Sequence, residues 1–244
     1  MAKFESGTRV MFATPSYDYR YEVDHVSAMT ATAIHLTHLN IDMRVKHVCG
    51  CCFIDLARND LVRHFLATDC TDMFFVDADV GFDYQVVPRF LASKQLIVAG
   101  LVPKKWDPNQ DPDKPPFHDN AMTGVMQDGL MESYEAPTAF MRIKREVFEI
   151  LDAAYPYYKE YKTMGRGTPY FQTGYVKDPD SGEVTFMGED IFFNRQWCKL
   201  GERLWIDTDV QFTHRGSLSW RGNYLEHGLK TGRFIKKDDI SSAA

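Results

Sequence analysis

The sequence predicts a single α/β domain built on a mixed, mainly parallel central sheet flanked by helices. Short apolar runs alternate with stretches of helical periodicity through the first hundred residues, the pattern of strands joined by helical crossovers. The clearest run, Met73-Phe74-Phe75-Val76, is apolar throughout, as a strand covered on both faces requires. Right-handed crossovers then place the carboxyl ends of the parallel strands along one edge, where such sheets bind ligands.

In chain order, Arg9 to Ala13 reads as a first strand closed by Thr14-Pro15-Ser16. Val26, Met29, Ala33, Ile34 and Leu36 recur at helical spacing between Val23 and Leu39. Ile41 to Cys49 alternates as a strand. Asp55 to Leu66 returns to helix, with Leu56, Leu61, Val62, Phe65 and Leu66 as its apolar face. Met73 to Val76 runs into Asp77-Ala78-Asp79, a short helix surrounds Pro88 to Leu91, and Leu96 to Gly100 forms the next strand. Pro103 to Asp119, rich in Pro, Asp and Lys, reads as a long surface loop.

Strands are expected at Met131 to Glu135 and Ala139 to Ile143, with a helix from Arg145. A hairpin is expected from Tyr170–Val176 and Val184–Met187 around Asp178-Pro179-Asp180-Ser181-Gly182. Glu189 to Leu200 is a helix stopped at Gly201, and short strands follow at Arg203–Ile206 and Val210–Phe212. No repeat and no separating linker interrupts residues 1–234. Residues 235–244 read as a flexible tail.

Composition narrows the function classes. Of 244 residues, 44% are hydrophobic and 25% charged, the balance of an ordinary globular protein. A net charge of -6 opposes sequence-blind nucleic-acid binding, although Lys230 to Lys237 forms a local basic stripe. No run approaches membrane-spanning length and no leader is evident, so a soluble, cytoplasmic chain is expected. Five cysteines, an odd number, suit a reducing compartment. Cys49-Gly50-Cys51-Cys52 lacks a second pair at zinc spacing, so buried free thiols are expected there.

Asp77 and Asp79, two apart at the open end of a buried strand, are able to point their carboxylates the same way. Paired anions repel, and a divalent cation relieves that cost while bridging to a diphosphate. An Asx-turn in which Asp79 caps the next segment is the plainer alternative. Around this pair stand Ala57-Arg58-Asn59, the strand end Asp-x-Asp, Gly188-Glu189-Asp190 at a helix start, and Phe212-Thr213-His214. From about Arg9 to Gly216, that ordered set resembles the GT-A glycosyltransferases, especially small bacterial and viral members with a Rossmann-like sheet.

The resemblance implies a nucleotide-sugar half to about residue 101 and an acceptor half from 102 to 216. It places Thr14, Pro15 and Asp18 along the nucleoside, and Arg58 near the base or diphosphate. Asp77 and Asp79 would address ribose and metal, with His214 as the third metal ligand and Arg215, Lys230 and Arg233 closing over the diphosphate. A mixed oxygen and imidazole set suits Mn²⁺ somewhat better than Mg²⁺. Asp190 would be the general base of an inverting enzyme, beside Glu189 as a sugar or acceptor contact. In the bare sequence, an acidic first turn of a helix also satisfies its dipole, and His214 reads equally as a structural residue.

The donor expected is a UDP- or GDP-sugar, and the acceptor a glycan or a hydroxymethylated DNA base, in the host cytoplasm if the source is viral. Trp106, Tyr170, Phe171 and Trp220 are either stacking platforms or buried anchors. Ala139 stands where many relatives carry an open glycine, a departure on the acceptor side. A metal-dependent nucleotidyltransferase shares the paired aspartates but carries a Gly- and Lys-rich first loop, unlike Ala13-Thr14-Pro15-Ser16-Tyr17. A non-catalytic carbohydrate-binding protein on the same fold is the remaining alternative.

Overall fold

The apolar runs Val10–Ala13 and Met73–Val76 lie side by side within the sheet, in parallel register from Val10↔Asp72 to Ala13↔Phe75. Because successive side chains leave a strand on opposite faces, each run feeds two cores. Met11, Ala13, Met73 and Phe75 enter one layer, while Val10, Phe12, Phe74 and Val76 enter the other. Continuous apolarity is thereby explained.

The computed structural model describes residues 4, 7–105, 116–118, 120–155, 158–159, 166–177, 182–216 and 219–234. In order come β1 (Arg9–Ser16), α1 (Val23–His38), β2 (Asp42–Cys49), α2 (Ile54–Leu66), β3 (Asp72–Val76), β4 (Val80–Phe82), α3 (Val86–Ala92) and β5 (Ile97–Gly100). Then follow β6 (Met122–Gln127), β7 (Leu130–Ser133), β8 (Phe140–Lys144), α4 (Arg145–Ala154), β9 (Tyr158–Lys159) and β10 (Arg166–Gly167). The chain continues through β11 (Gly174–Lys177), β12 (Val184–Met187), α5 (Glu189–Cys198), β13 (Leu204–Asp207), β14 (Gln211–Arg215), β15 (Ser219–Asn223) and α6 (Tyr224–Lys230). The tail at 235–244, Trp106, the side chain of Trp220 and the 178–181 turn lie outside the described residues.

The main sheet has the order β2-β1-β3-β8-β5-β13-β7-β6, and only β8 and β7 run against the other strands. The expected mixed, mainly parallel sheet flanked by helices is thus present. Helices α2, α4 and α5 cover one face through Phe65, Phe148 and Trp197. Helices α1 and α3 cover the other through Leu36 and Phe90. At the centre of β8, Arg142 is wholly buried and donates to the carbonyls of Phe90, Ser93, Gln95 and Leu96, which close the end of α3. Those four carbonyls, with the Asp72 carboxylate 3.6 Å from its Nε, are what permit a guanidinium in a core strand. No helix among the described residues is long and apolar enough to cross a membrane.

Two helix faces differ from their apolar periodicity. α1 buries His25, Ala28, Thr32 and Leu36, leaving Val26 and Ile34 exposed. At its start α1 approaches β4 so closely that a Cβ on Gly81 would lie 2.6 Å from that of Asp24. α2 buries Ala57, Arg58, Leu61, Val62 and Phe65, with Leu56 partly outside. A small separate sheet, β15-β14-β4, was not anticipated at β4 or β15. It lies beside the carboxyl edge of the main sheet.

Candidate active site

At Val76 the buried strand β3 ends, and Asp77-Ala78-Asp79 turns the chain into β4. Three distant segments and one bond of its own pin this turn through its backbone. Asp77 N donates to Ala139 O at 3.0 Å, and Val80 N to Asp77 O at 3.1 Å. Glu22 N and Arg215 N each donate, at 2.9 Å, to the carbonyls of Ala78 and Asp79. The two carboxylates therefore start from a backbone that is fixed before any ligand arrives, the condition for electrostatic preorganisation.

A cleft of about 580 Å³ opens over the turn, lined by Pro15, Asp18, Arg58, Asp77, Asp79, Glu189 and Arg215 among others. Seven sequence-selected residues thus converge. Beneath them, Arg58 is only 3% exposed, and its guanidinium forks between two acids. Nη2 donates to Asp77 Oδ1 at 3.2 Å and Nε to Glu189 Oε1 at 3.1 Å. Burial alone would depress its pKa, but the charges of Asp77 and Glu189 outweigh that and raise it. Arg58 therefore stays charged and aims two carboxylates into the cleft.

Asp79 carries its own cations. Lys105 Nζ donates to its Oδ2, and His214 Nε2 stands 3.5 Å from its Oδ1. Burial would raise this carboxyl; hydrogen bonds and charge from His214 and Lys105 overcome that and hold it at about 2. His214 Nδ1 lies 2.6 Å from the carbonyl of Pro103, which only accepts, so Nδ1 carries the proton. Nε2 is then turned toward the carboxylate. A bare lone pair there repels the oxygen, and either a proton on Nε2 or a cation between the two relieves it.

Among the described residues no group of three or more His, Cys, Asp or Glu is close enough to cage a metal ion. The donor set that fits one is smaller: Asp79 and His214, with Asp77 alongside. Two protein ligands suffice for Mg²⁺ or Mn²⁺ shared with a phosphate substrate, since these ions keep water and take phosphate oxygens.

Other expected residues are placed differently. Thr14 is fully buried, because β1 continues through Thr14-Pro15-Ser16 paired with His47, Val48 and Cys49. Pro15 is tolerated in that strand because pairing to β3 has already ended at Ala13↔Phe75. Asp190 follows Glu189 at the start of α5 but is not among the cleft-lining residues, and its Oδ1 accepts from Ile191 N at 2.7 Å. Burial, helped by the charge of Glu189, raises its carboxyl against the pull of the Ile191 amide and Arg58.

Tyr170 and Phe171 are core residues, with Phe171 stacked on Phe193 at 4.8 Å. The thiols Cys49, Cys51 and Cys52 are free, but Cys52 is exposed and the other two are half-buried, because this segment leaves the sheet edge for solvent. Lys105, Arg20 and Glu22 line the cleft without having been singled out in the sequence. For Lys105 a signal existed: it follows β5 on the ligand-binding edge.

No family model matches this chain, and no curated protein matches it. Among solved structures, it is similar to a glycosyltransferase involved in the glycosylation of the major capsid of PBCV-1. That alignment has 7% identity and a TM-score of 0.33, and covers 58% of this chain and 62% of the other. It therefore spans less than two thirds of that glycosyltransferase. The chain is also similar to the inositol-1-phosphate CTP transferase from T. maritima, at 9% identity and a TM-score of 0.42, covering 87% and 91%. Likeness at these scores is one of general architecture, and the roles of individual residues rest on the cleft itself.

Proposed function

We propose that this protein is a metal-dependent glycosyltransferase of the GT-A kind, moving a sugar from a UDP- or GDP-sugar to a hydroxyl of a glycan or of a hydroxymethylated DNA base. The observation that supports it is the convergence, at one sheet edge, of a pinned Asp77-Ala78-Asp79 turn with Arg58, Glu189, Arg215 and Lys105. Acids and bases of this kind around one cleft suit a substrate that is itself a diphosphate joined to a polyol.

Asp79 and His214 would hold Mn²⁺ or Mg²⁺, with Pro103 fixing the imidazole tautomer. When bound, the ion supplies Lewis-acid neutralisation of charge growing on the departing diphosphate. Asp77, aimed by Arg58, accepts from the ribose, and Arg215 supplies a further cation at the mouth. Pro15 and Asp18 flank the nucleoside. Glu189 contacts the sugar or acceptor. Asp190, its carboxyl raised by burial, receives the acceptor's hydroxyl proton as the oxygen attacks the anomeric carbon. Its position beside the lining requires a local rotation of the side chain to reach the acceptor.

The test is a panel of nucleotide sugars incubated with Mn²⁺ and scored for release of nucleoside diphosphate. One UDP- or GDP-sugar is expected to be hydrolysed, and Asp79→Ala to slow that by about 10²–10³-fold while circular dichroism stays unchanged. Wild-type turnover in Asp79→Ala overturns the metal role. Release of pyrophosphate identifies nucleotidyl transfer instead.

A further inference from the structure

We propose that Lys105 is an exchangeable counterion for Asp79: its ammonium holds the carboxylate until a divalent cation takes that place, and then turns to the diphosphate. The inference rests on the metal-dependent reading above and adds a residue and an order of events to it. Its basis is the pairing at Asp79, where one oxygen is engaged by Lys105 and the other faces His214 Nε2. Lys105 therefore sits on one of the two groups that would bind the ion.

Two cations serve the acidic pair, and they differ in freedom. Arg58 has a side chain 4% exposed, locked in a fork between Asp77 and Glu189. Lys105 has a side chain 39% exposed, and among the described residues its ammonium pairs with Asp79. A single-point contact on a flexible four-carbon stem is released far more easily than a buried guanidinium fork. A doubly charged ion at the same carboxylate outcompetes it on charge alone.

The backbone just before Lys105 is anchored by two contacts. Pro103 O accepts from His214 Nδ1 at 2.6 Å, and Lys104 N donates to Pro116 O at 2.8 Å. One short segment thus sets the imidazole tautomer and carries the ammonium. Released from Asp79, Lys105 remains on the wall of the same cleft that Arg215 lines. An anionic diphosphate is the partner that position offers.

The experiment measures Mn²⁺ binding to the full chain without nucleotide, by electron paramagnetic resonance at low salt, in wild type, Lys105→Met and Asp79→Asn. Lys105→Met is expected to bind Mn²⁺ about tenfold tighter than wild type, since it loses a positive charge next to the ion. At saturating Mn²⁺ the same variant is expected to bind UDP or GDP several-fold more weakly. Opposite signs are the signature, because mere damage to the loop weakens both. Equal or weaker Mn²⁺ affinity in Lys105→Met overturns the exchange and leaves the metal reading intact, provided Asp79→Asn still abolishes binding. Absence of Mn²⁺ binding in all three, or binding indifferent to Asp79→Asn, overturns the metal reading itself.

Discussion

The Asp77-Ala78-Asp79 turn and the β11–β12 hairpin, which leads into the cleft residue Glu189, are built in opposite ways. The turn follows a strand buried at every position and is held by hydrogen bonds to three separate parts of the chain. The hairpin precedes α5 with Tyr175 78% and Phe186 60% exposed, their rings meeting edge-on at 5.6 Å. Its root is tied down by Thr173 Oγ1, which donates to Asp55 at 2.8 Å. The turn is therefore held in place before binding, whereas the hairpin presents aromatic surface to solvent.

The contrast is most directly broken by truncating a ring in each region. Phe74→Ala, at the centre of β3, is expected to cost about 3–5 kcal/mol in denaturant unfolding, whereas Phe186→Ala changes stability by less than about 0.5 kcal/mol. A comparable loss in both would show that the hairpin is packed. Next in size is Asp190→Asn, expected to lower kcat on the order of a hundredfold with donor binding unchanged. Because burial raises the Asp190 carboxyl, wild-type kcat should rise with pH through a value above the ordinary 3.8, and that limb should vanish in the variant.

Smaller effects sharpen the comparison on the rigid side. Gly81→Ala pushes a methyl against Asp24 and is expected to destabilise by about 1–3 kcal/mol, measured by thermal melting. Arg215, which donates to Asp24 at 2.7 Å, should then lose affinity for nucleotide. The smallest effect is on acid stability. Asp79 has its carboxyl depressed from 3.8 to about 2, so its contribution is whole above pH about 4 and lost as pH falls through about 2. Lys105→Met should remove part of this contribution, and the acid midpoint of unfolding should move by a few tenths of a pH unit at most. A midpoint unmoved by the variant would mean that Lys105 does not hold Asp79 in solution.

Most of the first half was legible because burial there follows simple periods. Val10 to Ala13 and Met73 to Val76 are buried on both faces, and such strands announce themselves as unbroken apolar runs. β6 escaped notice because it is an edge strand whose residues are nearly all exposed, so no alternation marks it. β4 and β15 are short, and the three-stranded sheet that joins them exists only through pairing with β14, well over a hundred residues from β4. In α1, periodicity placed Val26 and Ile34 inside, yet the face that packs on the sheet runs through His25, Ala28, Thr32 and Leu36.

At the site, the sequence by itself determined which chemistry is present: two aspartates at the end of a buried strand, an acidic helix start, and a histidine on the strand that pairs back. Local periodicity and strand ends suffice for that, since they depend on neighbours along the chain. Only the tertiary structure decided how these groups are charged and aimed. Arg58 meets Glu189 across 131 residues, His214 takes its tautomer from Pro103 across 111, and Asp79 receives Lys105 across 26. Electrostatic energy depends on distance through space and on burial, neither of which spacing along a chain encodes.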